Sequence, residues 1–330
     1  MKKLFIRLFC LLAYYFGLIN IFYFITRKRQ RVITYHNIIP DKYFINSIDQ
    51  GVSCSETVFK YQLNLIAKKF NFTTEINKEN SCVVTFDDGY QNNYEIALPI
   101  LESNNINAVF FITYNLVAEN EIIWVDLIMK WCSYVPEGIY IIEGVNVHIS
   151  NKNRFNYFND VLSRIYKDYS LKENVLSSLD NAFEFNKLLI DEYYNRIRFN
   201  PISLIDIENM KSRNHLIACH TISHDVLSML SSELLFDEIN VSESYIGDFY
   251  NTNYFAYPFG GANEVSKKVL KSLSATNFKY CFVNYWNFFV SNNEVETIQR
   301  ITLPNTTNKY LIHAYLSGFY FIFKSKVIHD

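Results

Sequence analysis

Short runs of β-branched and aromatic residues recur along this chain with helix-like stretches between them, and that alternation limits the fold more than any other property. Residues 31–38 (RVITYHNI), 81–86 (SCVVTF), 108–113 (AVFFIT), 215–220 (HLIACH), 254–259 and 280–285 read as strands. Helical periodicity fills 93–103, about 231 to 246, and 264–273. Strands separated by helices point to an α/β fold with a mainly parallel sheet or barrel. Residues 115–200 break the rhythm: 122–132 has helical spacing, 139–149 is extended, and 155–187 carries two helical patterns. They read as a largely helical insertion between elements of a catalytic domain spanning 31–330. No internal repeat is present.

At 330 residues, with 49% hydrophobic and 19% charged side chains, the chain has enough apolar surface for a substantial core, which excludes a disordered protein. Six scattered cysteines form no C-x-x-C pair and sit mostly in apolar runs, so they read as buried thiols, with neither a disulfide framework nor a zinc-thiolate site suggested.

The net charge of −2 is uneven. Residues 1–40 hold seven bases and no acid, leaving 24 bases against 33 acids, or −9, over 41–330. A body of that charge lacks the basic face that nucleic acid requires, so no polynucleotide partner is expected. The terminal bases flank residues 8–25, eighteen residues interrupted only by Gly17 and Asn20. That length is at the lower limit for crossing a bilayer, which takes about 20 apolar residues. The run ends in Arg27-Lys28-Arg29-Gln30-Arg31 with no small-residue cleavage site. Residues 1–30 are therefore expected to form a membrane-associating helix, spanning or interfacial, rather than one merely packed on the core. The heavier basic flank follows the apolar run, which puts the catalytic domain on the cytoplasmic face. A second aromatic-rich stretch, 310–323 before Lys324 and Lys326, reads either as a further docking segment or as core.

In parallel α/β folds, reactive groups gather at the carboxyl ends of strands. Three such ends carry titratable residues: Asp87-Asp88-Gly89 after 83–86, His220-Thr221-Ile222-Ser223-His224 after 216–219, and His36 after 32–35. Adjacent carboxylates repel unless a cation lies nearby, and neighbours along a chain point apart, so one can ligate while the other faces substrate. His220 and His224, spaced i, i+4, are expected on one side of a helical turn. One carboxylate with two imidazoles is a zinc-type hydrolytic set with a position left for water. It suits Zn2+, or alternatively Co2+ or Ni2+, better than magnesium or calcium.

Taken together these residues resemble the polysaccharide deacetylases with a NodB-type domain, carbohydrate esterase family 4. VVTFDDGY (83–90) is similar to that family's first motif, T-F-D-D-G; HTISH (220–224) to the second, H-[ST]-x-x-H; and FAYPFG (255–260) to the third, R-x-P-[YF]. The likeness covers roughly 31–114 and 215–303. It implies a distorted (β/α) barrel and a metal-dependent hydrolase that removes N-acetyl groups from amino sugars of a glycan or lipid-linked saccharide. On this likeness Asp87 is the general base, and Asp88, His220 and His224 hold the metal. Tyr257 and Phe259 lie on the oxyanion and substrate side, with the Phe259 N–H as donor.

The chain departs from the family in three places. Ala256 stands where the motif has Arg; the acids of the fourth motif are missing around Trp286; and Leu303-Pro304-Asn305 lacks the His of the fifth. Subfamilies with an N-terminal Tyr-His and an Ala-Tyr-Pro third motif are closer, and they suggest His36 as catalytic acid. Arg300 is a candidate replacement for the missing Arg. His148, His215, His313 and His329 have no motif context and read as structural. Two alternatives stand beside the deacetylase reading: a catalytically silent glycan-binding or scaffold homologue, which draws on the lost motif residues, and an amidase acting on a non-sugar amide.

Overall fold

A computed structural model of the chain describes residues 2–44, 51–245, 248–285 and 296–323. Eight strands follow one another in a parallel sheet: β1 (Arg31–Tyr35), β2 (Ser81–Phe86), β3 (Val109–Ile112), β4 (Leu216–Cys219), β5 (Tyr254–Ala256), β6 (Tyr280–Val283), β7 (Glu296–Gln299) and β8 (Ile301–Thr302). Their spatial order is β7-β6-β5-β4-β3-β2-β1-β8, and the short strand Asn71–Phe72 adds only to the start of β2. The two ends of this order are consecutive halves of one extended segment. β7 pairs with β6 and β8 with β1, and the residue between them is Arg300, whose N–H bonds Val283 O at 3.0 Å. The sheet thereby curls into the nearly closed distorted (β/α) barrel expected from the sequence, which removes its open edges.

The period-2 pattern of the strands sorts their side chains into two layers. Val32, Val83, Val109, Phe111, Ala218, Ala256 and Phe282 fill the interior. The alternate residues, among them Ile33, Val84, Phe110, Ile217, Phe255 and Cys281, pack outward under the helices. Phe110 stacks on Phe86, 4.9 Å between centroids, and is edge-on to His215, whose Nδ1 accepts the Ala108 N–H. All six cysteines are buried free thiols.

The insertion builds a core of its own around Trp131, Ile128, Ile165 and Leu179. Helices Trp124–Tyr134, Arg154–Lys167 and Lys172–Ala182 supply it, together with the antiparallel hairpin Gly138–Ile142/Val145–Ile149. The expected helix at 93–103 is composite: a π-helical turn, Asn93–Ala97, precedes a short α-helix, Leu98–Ser103. Pro99, at the first turn of the α-helix, has no N–H to continue an ordinary ladder, which accounts for the wide turn before it.

The expected single helix at 8–25 is also corrected. Lys2–Tyr15 and Leu18–Ile25 are separate helices, and the axes of Ile6–Tyr15 and Leu18–Ile25 are bent by 81°. Gly17 makes the elbow at φ +76°, a left-handed conformation that ends the first helix. Among the described residues no single helix is long and apolar enough to cross a membrane. The stretch after 309 is partly core: in helix Lys309–Leu316, Leu311 and Ala314 bury against Cys10, Ala13 and Ile19. Lys324, Lys326 and His329 lie outside the described residues.

Replacing Phe110 by Ala should cost about 3–5 kcal/mol, since it opens a cavity under the β2–β3 seam. Urea titration of the purified protein measures this, and a loss under about 1 kcal/mol would contradict the packing described.

Candidate active site

The ends of β2, β4 and β5 are each followed by a left-handed residue that turns the chain sharply. Asp88 (φ +79°), Thr221 (+66°), His224 (+60°) and Phe259 (+60°) adopt this region. The other non-glycine residues with positive φ among those described are five Asn and Glu143. A β-branched Thr at such a φ is held there only by its surroundings. Gly89 follows at φ +99°, where a Cβ would meet Ile112 Cγ2 at 3.1 Å.

Strand β2 carries Asp87 into the barrel mouth, where its N–H bonds Tyr35 O and its carboxylate is fully buried. Arg300 grips it with two hydrogen bonds, Nη1 to Oδ1 at 2.6 Å and Nη2 to Oδ2 at 2.8 Å. The guanidinium is itself buried, over the Phe111 ring. Burial alone would raise the Asp87 carboxyl, but Arg300, with His220 and His36, outweighs this and holds it well below the usual carboxylate range. The carboxylate is thus gripped by an arginine at the junction of β7 and β8, while position 256 on β5 holds Ala. His36 Nε2 stands 3.6 Å from Asp87 Oδ2, with its ring part-exposed to the cavity.

The second carboxylate faces the histidines. Asp88 Oδ1 is 3.6 Å from His220 Nε2 and 3.5 Å from His224 Nε2, and one ligand atom from each of the three residues lies within 4.8 Å of the others. Asp88 Oδ1 is buried without a hydrogen-bond partner. His220 Nδ1 lies 2.9 Å from Ala256 O, which fixes it as the protonated nitrogen and leaves a bare lone pair on Nε2. Burial lowers His220 to about 4, and burial together with the neighbouring His220 takes His224 well below an ordinary imidazole. Burial, with Asp126 and Asp87 nearby, pushes the Asp88 carboxyl well above its usual range. Lone pairs converging on one another in a dry site repel, and a cation at their centre reverses the sign. Ligand atoms about 2.1 Å from a tetrahedral zinc lie about 3.4 Å apart, close to the spacing seen. The residues therefore fit a divalent ion.

The pair His220/His224 is not on a helical turn as the spacing suggested. The segment between them is an irregular loop. Its shape is imposed by Glu238, whose carboxylate accepts from Ile222 N (2.9 Å), Ser223 N (3.2 Å) and Ser223 Oγ, and by Tyr114 N and Asn115 N, which donate to Thr221 O and Ile222 O.

Phe259 presses its ring on His224 at 5.0 Å, backed by Trp124 and Tyr166. Its N–H makes no hydrogen bond among the described residues. Tyr257 does not reach the site: its ring is edge-on to Phe255 in the main core, 1% exposed, so the expectation that its side chain meets substrate is corrected. Outward-facing alternation along β5 puts 255 and 257 in the helix-side layer. His215 is held in the core, and His313 Nδ1 bonds Tyr23 OH at 2.9 Å. Trp286 lies outside the described residues.

The insertion walls a cavity of about 260 Å³ whose barrel side presents His36, Asp88, His224 and Phe259. On the insertion side lie Ile123, Val125, Met129 and a buried acid that sequence reasoning missed, Asp126. Arg198 Nη2 donates to Asp126 Oδ1 at 2.8 Å, and Tyr90 OH donates to Oδ2. The available signal was an acid within the apolar run WVDLIM and a base within IRF, each at a position that helical periodicity buries.

A family model described as polysaccharide deacetylase matches residues 74–153 and 191–278. Among solved structures, the chain is similar to the deacetylase PplD of Streptococcus pyogenes in complex with acetate, with 15% identity and a TM-score of 0.54 over 86% of this chain and 97% of that one. It is also similar to IcaB from Ammonifex degensii, at 16% identity and 0.51 over 87% and 97%. A third likeness is to BC0361, a polysaccharide deacetylase from Bacillus cereus, at 16% and 0.51 over 86% and 68%. No curated protein matches the sequence significantly.

Arg300→Met leaves Asp87 buried without its partner, so stability should fall by about 3–5 kcal/mol, with Arg300→Lys between parent and Met variant. Denaturant titration of the three proteins checks the order; equal midpoints would show that the pair carries no such weight.

Proposed function

The chain belongs to the polysaccharide deacetylase family, hydrolases that cleave amide bonds of acetylated sugars, and from that premise we propose that it removes N-acetyl groups from amino sugars of a glycan with the help of a divalent metal. The observation that carries the proposal is the convergence of Asp88, His220 and His224 beside an ionised Asp87. Asp88, His220 and His224 would hold the ion; Zn2+ suits them, with Co2+ or Ni2+ as alternatives. When bound, it supplies Lewis acidity to the acyl carbonyl and lowers the pKa of water.

The remaining work falls to the chain. Asp87, kept ionised and oriented by Arg300, takes a proton from the attacking water as oxygen adds to the acyl carbon. The Phe259 N–H donates to the oxygen that becomes negative. Collapse breaks the carbon–nitrogen bond and releases acetate, and the departing nitrogen needs one proton. His36, neutral because burial lowers it, lies next to Asp87 and opens on the cavity, so it passes the proton taken from water to the amine and returns to its resting state. The proton count closes without an outside donor.

Arg300 on Asp87 also weakens the non-catalytic alternative, which drew on the Arg absent at 256. The amidase reading uses the same groups and is separated by substrate profiling.

Chelator-treated protein should release no acetate from N-acetylglucosamine oligomers until Zn2+ or Co2+ is restored. Asp87→Asn should lower turnover about 10²–10⁴-fold while metal content is kept, whereas His220→Ala should lose the metal. His36→Gln should slow turnover with metal binding intact. Acetate release that survives Asp87→Asn or His220→Ala would sink the assignment.

A further inference from the structure

The bent helix pair at the N-terminus presents an apolar face that the rest of the molecule does not cover. Its inner side buries Cys10, Ala13 and Ile19 against helix Lys309–Leu316 and Phe319. Its outer side exposes Leu8, Leu12, Phe16, Ile21, Phe24 and Ile25, with Phe16 78% and Phe24 65% exposed. Single exposed apolar residues are ordinary, but a contiguous set on two consecutive helices is not. The helices are 14 and 8 residues long, hence about 21 and 12 Å, so neither spans the roughly 30 Å hydrocarbon layer.

Two observations favour lipid over a protein partner. First, the rim is mainly basic: Arg7, Arg27 and Lys28 are exposed, the Arg27 guanidinium sits over Phe24 at 4.2 Å, and residues 1–40 contain no acid, although Glu79 lies 4.0 Å from Lys28. Second, a second copy docking through the same face would set these bases against their equivalents, whereas anionic headgroups would neutralise them. The face runs along the side of the barrel. Helix Lys309–Leu316 starts just beyond β8 and descends the barrel to Leu316, whose carbonyl meets Arg31 at the foot of β1. Tyr15 meets Tyr310 at its upper end and Phe9 stacks on Phe319 below, while Thr26 Oγ1 donates to Ser317 O and Thr26 O accepts from Arg31 at the foot of β1.

We propose that residues 6–28 form an in-plane anchor: the two helices lie in the interfacial zone of an anionic leaflet, such as the cytoplasmic one, without crossing it. The proposal is independent of the chemistry assigned to the site.

The test is co-sedimentation of the full chain with vesicles of phosphatidylcholine alone and of phosphatidylcholine with phosphatidylglycerol. The parent should bind the mixed vesicles. Phe16→Ser combined with Phe24→Ser should weaken partitioning at least about tenfold, and Arg27→Glu with Lys28→Glu should remove the preference for anionic lipid. Circular dichroism melting should match the parent in both variants. The proposal is overturned if the parent ignores both vesicles, if the serine variant partitions equally, or if an alkaline wash fails to release bound protein, which marks a span. It is also overturned if light scattering shows a dimer that the serine variant dissolves without any vesicle binding, which marks a second copy as the occupant.

Discussion

The buried pair between Asp87 and Arg300 is the contact on which both the barrel and its chemistry depend. Arg300 is the single residue between the strand half that pairs with β6 and the half that pairs with β1. Its side chain runs inward at the seam and its fork closes on a carboxylate at the end of β2. Two charges taken out of water are costly, and a pair of this kind persists only with good geometry and nearly complete satisfaction. The bidentate fork supplies the geometry, and Nη1 also reaches Thr85 Oγ1, while the buried Nε has no partner among the described residues. The fork also sets the two adjacent carboxylates apart: Arg300 outweighs burial at Asp87, whereas at Asp88 burial with Asp126 and Asp87 outweighs Arg198 and Arg300.

Around that pair the backbone is held in conformations it would not adopt alone. Left-handed φ values at Asp88, Thr221, His224 and Phe259 turn the chain around the point where Asp88, His220 and His224 converge. The cost is met by neighbours outside the motifs: Glu238 under the histidine loop, the first turn of Tyr114–Ala118 beside it, and Trp124, which bonds His224 O at 3.1 Å. The insertion is therefore more than an appendage, since it supplies Trp124 and Tyr166 behind Phe259 and Asp126 on the far wall.

Much of this was legible in the residues. Strand alternation gave the class because the two-residue period and the short apolar runs are local properties. The ends of β2 and β4 announced their chemistry because acids and imidazoles seldom follow buried strands without purpose. What stayed hidden was non-local. Arg300 could be named as a candidate for the Arg missing at 256, 44 residues earlier, but its two-pronged grip on Asp87 could not. The i, i+4 spacing of His220 and His224 suggested a helix, whereas Glu238 enforces a loop. Tyr257 shared a motif with Phe259 but falls on the opposite side of the strand. Asp126 and Arg198 find each other only once two insertion helices pack. The break at Gly17 was present as a glycine, yet its left-handed conformation depends on how both helices settle on Lys309–Leu316.

The seam at Arg300 has a further consequence for how the molecule comes into being. Asp87 emerges from the ribosome 213 residues before its partner. Until the last strand docks, the nascent chain holds an open sheet and a carboxylate with nothing to neutralise it. Closure of so distant a contact is entropically late. The ion pair is thus completed only in the final step, and a chain truncated anywhere before residue 300 lacks it.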